Sequence, residues 1–231
     1  MPKIKLYHGS DHIIEKPSLL SGKLNNDYGR GFYCTRLPEM ASEWACKNNS
    51  DGTLNEYDLD TDTLHILNLA SEQYSILNWL AVLLENRTFS LKQKIAEDAK
   101  AYILKNFSVD LKRYDVVIGY RADDSYFAYA EDFVNNTLPL SGLNEALYLG
   151  KVGLQTVLIS EKAFDNLDFV KASNVNKAEY YDKFSQRDSH ARQAYRKMQK
   201  SKSYENEIFA MDILREGLTN ADARIQRIIL G

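Results

Sequence analysis

The sequence predicts an α+β fold, in which a β-sheet core carries helical insertions and is followed by a C-terminal helical extension. Residues 4–8 alternate in polarity, as expected for a half-buried strand near the N-terminus. Two strongly helical, apolar segments lie within residues 74–107. From Asn174 onward the strand pattern stops and charged helical segments follow. We therefore expect one domain over residues 1–172, with an insertion at about 74–107, and a helical extension over residues 173–231.

Composition limits the function classes without selecting one. The chain has 231 residues, 44% of them hydrophobic, which suffices for one sizeable core. Its formal net charge of −3 gives no general attraction to nucleic acid, and no apolar run reaches membrane-span length. Cys34 and Cys46 show neither redox nor zinc spacing, and the four histidines show no metal-ligand spacing. A cytoplasmic protein without a metal and without membrane partners is expected.

The first strand ends at a histidine and a glycine. Lys3 and Lys5 alternate with Ile4 and Leu6, so His8 continues the inward face of the strand. Gly9 follows, where a backbone can approach a ligand closely. An inward histidine is more often a satisfied core residue than a functional one. Both interpretations stay open on this stretch alone.

The stretch from Asp27 to Thr35 is the one around which the chain is organised. Gly29 and Gly31 permit positive φ or close backbone approach, and the aromatic and β-branched run that follows favours a strand. Phe32 then faces one side of that strand, together with the residue two positions on, and Tyr33 faces the other. This arrangement suits the floor of a ligand cleft, although on this stretch alone an ordinary loop-to-strand junction with a half-buried tyrosine is the more common explanation.

The other elements follow in order. Residues 11–26 are polar and are expected to form a loop over the cleft; Pro38 opens a helix whose apolar stripe includes Trp44. Ser90 and Gln93 match a helix-starting capping box. The remaining predicted elements are strands 54–59 and 64–69 joined by a turn at 60–62, helices 74–87 and 90–107, strand 114–120, helices 125–136 and 141–150, strands 154–160 and 167–172, and helices 177–200, 204–216 and 221–230.

Three carboxylates and one amide remain as candidate site residues. Asp123 and Asp124 follow the strand 114–120, a position suited to ligands, although one of them is expected to cap the next helix. Glu145 lies on the short helix that comes after. Gln155 faces inward at the start of its strand, so its amide needs hydrogen-bond partners, which backbone or a ligand hydroxyl could supply.

Taken together, the motifs resemble those of the ADP-ribosyltransferases of the diphtheria-toxin and poly(ADP-ribose) polymerase type. The N-terminal Leu-Tyr-His-Gly-Ser is similar to their first nicotinamide-site motif, and Gly-Arg-Gly-Phe-Tyr to their second. Trp44 takes the place of a second aromatic eleven residues after Tyr33. The chain resembles more closely a bacterial family of uncharacterised proteins in that superfamily, through residues 115–119, 122–124 and 153–159, over about residues 4–172. The resemblance implies a split β-sheet core.

The resemblance also implies roles in binding and cleaving NAD. Gly9, with Ser10 beside it, would hold the carboxamide, His8 the adenosine ribose, and Tyr33 and Trp44 the nicotinamide ring. Arg30, beside Gly31, would contact the diphosphate. The list of implied catalytic residues is His8, Tyr33 and Gln155. Gln155 stands where the family usually has a glutamate, so transfer of a single ADP-ribose is expected rather than chain elongation, and a glutamate at this position is expected to retain or raise activity.

The expected function is therefore mono-ADP-ribosyl transfer from NAD, as co-substrate, to an unknown protein or nucleic-acid acceptor. A toxin, effector or defence role, with an antitoxin or regulatory partner, is implied by the resemblance only. Two alternatives remain: an NAD glycohydrolase that transfers to water, and a non-catalytic NAD-binding or interaction module. Asp123, Asp124 and Glu145 are secondary candidates for the site.

Overall fold

The fold was determined as a computed structural model, which describes residues 3–122, 124–149, 152–201 and 205–226. It contains one seven-stranded mixed sheet, so the predicted α+β class is confirmed. The strands are β1 (Lys3–Ser10), β2 (Phe32–Thr35), β3 (Gly52–Asp60), β4 (Ile66–Asn68), β5 (Val116–Tyr120), β6 (Leu154–Leu158) and β7 (Leu167–Val175).

The sheet has the order β4-β5-β6-β2-β1-β3-β7, and β4 with β5 is its parallel pair. The other neighbours are antiparallel. Strands β1 and β3 are paired along the whole length of β1, whereas β1 and β2 are in register only at Tyr7 and Thr35. The sheet is therefore continuous but nearly divided between β1 and β2.

Helices surround this sheet. They are α1 (Pro38–Ala45), α2 (Ile76–Asn86), α3 (Lys94–Phe107), α4 (Asp124–Val134), α5 (Leu140–Tyr148), α6 (Glu161–Asp165), α7 (Lys177–Ser201), α8 (Ala210–Glu216) and α9 (Ala223–Gln226). Short 3-10 helices occur at Leu19–Ser21 and Leu111–Arg113. Among the described helices, none combines the length and apolar character needed to cross a membrane.

Two hydrophobic cores pack on opposite faces of the sheet. The larger one contains Val117 and Val157 with the buried faces of α2 to α5. The smaller one contains Val116, Leu158 and Phe32. Because neighbours along a strand point to opposite faces, this division confirms the predicted facing of Phe32 away from Tyr33, which packs against the larger core. Helix α2 is mostly apolar and is buried from Ile76 to Leu84, which places it inside the larger core.

Two local predictions are wrong. Helix α3 begins after Gln93, and the Ser90 amide instead donates to Glu131 Oε1 at 2.6 Å, so the predicted capping box is absent. Strands β3 and β4 do not form the hairpin implied by their short connection, because β4 pairs with β5 near the opposite edge of the sheet. Both errors arise from partners that are distant in sequence.

The C-terminal helices pack onto the rest of the chain. The predicted domain boundary at residue 172 falls inside β7, which pairs with β3 as the outer strand of the sheet. Tyr195 on α7 donates to Asp132 Oδ2 on α4 at 2.7 Å, and Tyr102 on α3 donates to the Leu218 carbonyl at 3.0 Å. Residues on both sides of the predicted boundary thus share one set of contacts.

Candidate active site

The candidate site lies where β1 diverges from β2. Beyond the single Tyr7–Thr35 backbone pair, β1 contacts β2 through the His8 side chain. Its Nδ1 lies 2.7 Å from the Tyr33 carbonyl oxygen. A carbonyl oxygen can only accept, so Nδ1 donates and Nε2 is left as the acceptor atom of a neutral ring. Burial lowers the pKa of His8, which favours that neutral form, and its ring packs on Phe32 with centroids 4.5 Å apart.

A cavity of about 1100 Å³ opens at this divergence. Its volume is slightly above the roughly 300–1,000 Å³ typical of small-molecule sites. The structure brings six of the sequence-predicted site residues to its wall, namely His8, Gly9, Gly31, Tyr33, Trp44 and Gln155. The predicted loop also contributes, from His12 to Asn26, and its start is anchored by the buried Asn55, whose Oδ1 accepts from the Ile14 amide at 2.9 Å.

Three other predicted site residues do not line the cavity, and two cannot be placed relative to it. Ser10 does not line the cavity; its hydroxyl donates to the His12 carbonyl at 2.6 Å and so shapes the loop. Arg30 and Glu145 do not line the cavity either, and Glu145 is exposed on α5. Asp123 lies outside the described residues; Asp124 begins α4, and its side chain also lies outside the description.

Tyr33 is held by its hydroxyl group. The hydroxyl donates to the Gly29 carbonyl at 2.7 Å and accepts from the Tyr28 amide at 3.0 Å. Gly29 has φ of +72°, a conformation that side chains rarely adopt, so the tyrosine closes the glycine turn that precedes its own strand. Burial raises the pKa of Tyr33, which keeps the hydroxyl protonated as a donor. The turn and the ring at the cavity wall are therefore one unit.

Gly9 is required by helix packing. A Cβ atom at this position would lie 1.9 Å from the Ala41 carbonyl oxygen and 2.8 Å from the Ala45 amide nitrogen, both on α1. Backbone atoms of a helix cannot move aside as a flexible side chain can. The glycine thus brings α1, and with it Trp44, against the end of β1.

Gln155 is buried, with 5% of its surface exposed, and its amide group is oriented by two acceptors. Nε2 donates to Asp27 Oδ2 and to the Tyr120 carbonyl oxygen, each at 3.1 Å. The sequence left open whether backbone or a ligand would satisfy this amide. The structure supplies protein partners for the nitrogen side, one of them a carboxylate.

Asp27 is the main cavity residue that the sequence analysis did not identify. It is 8% exposed, and besides Gln155 it accepts from the Ala122 amide at 2.9 Å and from Arg87 Nη1 at 2.8 Å. Burial raises its pKa, and the hydrogen bonds from Ala122 and Gln155 oppose that rise. Its one sequence signal is a carboxylate directly before the glycine turn, which is also typical of an exposed loop.

Helix α7 supplies a wall that the sequence analysis placed outside the site. Phe184, Asp188 and Arg192 all line the cavity. Phe184 packs edge-on against Trp44, with centroids 6.5 Å apart, and Lys47 Nζ lies 4.0 Å from the centre of the Trp44 ring. The charged sequence of α7 gave no indication of these contacts.

The cavity wall carries more cations than anions. The Lys and Arg side chains on it are Lys16, Lys23, Lys47, Arg87, Arg121 and Arg192, against Glu15, Asp27 and Asp188. An excess of positive charge in a recessed site favours anionic ligands such as phosphate esters. In the described part of the chain, no three His, Cys, Asp or Glu side chains are placed to hold a metal ion.

These features define an α+β protein with a cation-rich cavity at a divergence of its sheet. The chain belongs to the family described as "Protein of unknown function (DUF3990)", whose sequence model matches residues 4–169. The matched region ends inside β7, before the cavity wall supplied by α7. Neither the search of curated proteins nor the search of solved structures returned a match.

Proposed function

We propose that this protein is an NAD-dependent mono-ADP-ribosyltransferase. The observation that carries the proposal is that the two motif stretches, distant in sequence from Gln155, meet it in one cavity with Trp44. If these residues served only in core packing, nothing would require them to meet at one cavity. The cations of the wall suit a dinucleotide, which brings a diphosphate to the site.

Each side chain has a role that its contacts permit. The nicotinamide ring stacks between Tyr33 and Trp44, whose rings line the cavity. His8 Nε2 accepts a hydrogen bond from the adenosine ribose, since Nδ1 is already used on Tyr33. Arg30 does not line the cavity, so the diphosphate is assigned instead to the cavity cations, Arg121 among them.

The reaction exchanges one bond for another at ribose C1′. The bond from C1′ to the nicotinamide nitrogen breaks, and its electron pair neutralises the pyridinium charge. The acceptor nucleophile forms the new bond to C1′ and releases its proton to the surrounding water. The protein binds the nicotinamide ring and the ribose in fixed positions, and this positioning lowers the entropic part of the barrier.

A second candidate function is binding of NAD without turnover. It is favoured by the neutral Gln155 and by Asp27, whose two oxygens already accept from three protein donors. On this view neither Gln155 nor Asp27 offers an unengaged carboxylate oxygen to the developing ribose cation. An NAD glycohydrolase, with water as the acceptor, is the variant of the first proposal that needs no macromolecular surface.

The test uses NAD labelled in its adenylate part, incubated with the full chain, with and without cell lysate. Label on a macromolecule supports the transferase, and release of ADP-ribose and nicotinamide without lysate supports the glycohydrolase. A rise in melting temperature with NAD, but no cleavage, supports the binding module. His8→Ala is the site variant and Lys94→Ala, an exposed change on α3, is its control. No rise in melting temperature and no cleavage by the wild-type protein would contradict all three.

A further inference from the structure

The orientation of the Gln155 amide is set by its surroundings. Its Nε2 faces two oxygen atoms, Asp27 Oδ2 and the Tyr120 carbonyl oxygen, at 3.1 Å each. A flipped amide would place Oε1 against two acceptors that cannot donate to it. These two contacts therefore assign Nε2 to the Asp27 side and leave Oε1 as the acceptor end of the amide.

Asp27 has what is needed to hold this arrangement rigidly. Its carboxylate is anchored by the Ala122 amide at 2.9 Å and by Arg87 Nη1 at 2.8 Å, so it cannot turn away from Gln155. These donors come from different parts of the chain, the end of α2 and the segment after β5. A buried carboxylate is costly unless it is paired and hydrogen-bonded, and here each oxygen has a donor.

We propose that Asp27 is the positioning residue of the cleft, and that the Asp27–Gln155 pair presents the amide carbonyl of Gln155 to a sugar hydroxyl of the ligand. The inference rests on the proposed function, since the sugar is the nicotinamide ribose of NAD. Asp27 supplies the fixed orientation, and Gln155 supplies a neutral acceptor that accommodates a hydroxyl donor.

The kinetic test compares two substitutions of buried aspartates. Asp27→Ala frees the amide of Gln155 to rotate, so kcat for NAD cleavage falls, on the order of 10²-fold for a misplaced group, while KM stays close to wild type. Asp27→Asn can keep an oxygen toward Gln155 and Ala122, so it retains more of kcat than Asp27→Ala. The matched control is Asp115→Ala, which removes a buried aspartate bonded to the His65 amide and the Ser160 hydroxyl, away from the cavity. The control lowers stability but leaves kcat per folded molecule unchanged.

A second readout does not depend on NAD chemistry. In ¹⁵N-labelled protein, the side-chain amide of Gln155, assigned by its loss in Gln155→Ala, exchanges its hydrogens slowly in the wild type and in Asp115→Ala. It exchanges fast in Asp27→Ala. Equal exchange in wild type and Asp27→Ala, or equal kcat in the two, overturns the positioning role. If the wild-type protein neither binds nor cleaves NAD, the proposed function fails, and the exchange rates still decide whether Asp27 holds Gln155.

Discussion

At the scale of single residues, the surroundings of Gln155 change what its replacement by glutamate should do. The family resemblance implied that Gln155→Glu keeps the geometry and retains or raises activity. In the structure, the introduced carboxylate would replace a donor with an acceptor beside Asp27 Oδ2 and the Tyr120 carbonyl oxygen. Three oxygens would then face one another in a buried site, two of them charged.

We therefore expect Gln155→Glu to destabilise the protein by roughly 3 kcal/mol at pH 8, as for a buried charge without a partner. Repulsion and burial raise the pKa of the introduced carboxyl above its unfolded value. The penalty is then absent at low pH and grows as the pH rises, so the variant is closer to wild type at pH 5 than at pH 8. Denaturant unfolding at the two pH values measures this. Equal loss at both, or none, would show that the site tolerates the charge; Gln155→Met is the uncharged control.

The lowered pKa of His8 should make the protein less stable as the pH falls. Burial lowers its pKa in the folded state below the unfolded value of about 6.5. Below that value the unfolded chain binds more protons, so the free energy of unfolding falls as the pH falls toward the folded pKa. His8→Gln removes this contribution and should flatten the profile between pH 7.5 and 5, measured by urea unfolding. The control is His190→Gln, on an exposed position of α7. An unchanged slope in His8→Gln would mean that other groups account for the pH dependence.

Sequence patterns identified cavity residues that belong to a recognisable motif. They missed residues that reach the cavity only through the way the chain folds. His8, Tyr33 and Gln155 could be predicted because alternation gives their facing. Asp27 could not, since nothing local indicates that a loop aspartate will meet a glutamine from β6 and an arginine from the end of α2. Arg30 was misplaced for the converse reason: it lies within the motif, yet the cavity is lined by its neighbour Gly31.

At the scale of elements, local signals worked where the causes are local. Strand β1, with its alternation, and helix α1, with Pro38 at its first turn, have the predicted starts. The pairing of β4 with β5 was not predictable from the short connection after β3, because the pairing partner lies beyond two inserted helices. The start of α3 depends on Glu131, which is likewise distant in sequence.

The packing of α1 on β1 gives a prediction about Gly9. Gly9→Ala places a methyl group 1.9 Å from the Ala41 carbonyl oxygen, so we expect a loss of about 3 kcal/mol, at the upper end of overpacking effects. The measurement is the free energy of unfolding in the absence of any ligand. Lys3→Ala, exposed on the same strand, is the control. Wild-type stability for Gly9→Ala would return this glycine to a role in ligand approach alone.

At the scale of the whole molecule, helix α7 of the predicted C-terminal extension contributes to the cavity wall. Helix α7 is mostly exposed and charged, which is all that its sequence pattern reports. Its contacts with the cleft come from a few positions on one face. Arg187 Nε lies 2.8 Å from Glu43 Oε2, with both side chains largely buried, and Phe184 packs on Trp44. These contacts fasten α7 to α1 across the mouth of the cavity.

These contacts predict that Arg187 and Glu43 stabilise the protein as a coupled pair. Breaking a buried ion pair from one side leaves an uncompensated charge, so Arg187→Met and Glu43→Gln should each cost roughly 3–5 kcal/mol, whereas the double variant should recover part of that loss. The exposed pair Lys183–Glu179, replaced in the same way, is the control and should show coupling below about 1 kcal/mol.

Ligand binding should follow the same contacts. Phe184→Ala removes the edge support of Trp44, so the rise in melting temperature produced by NAD should shrink, while Phe184→Tyr retains it because the ring is what makes the contact. Two results together would mean that α7 only covers α1. They are additive stability losses in the Arg187 and Glu43 variants, and a full NAD-induced rise in melting temperature in Phe184→Ala. Non-additive stability losses with a reduced rise in melting temperature would mean that both the family-matched region and helix α7 form the NAD-binding cavity.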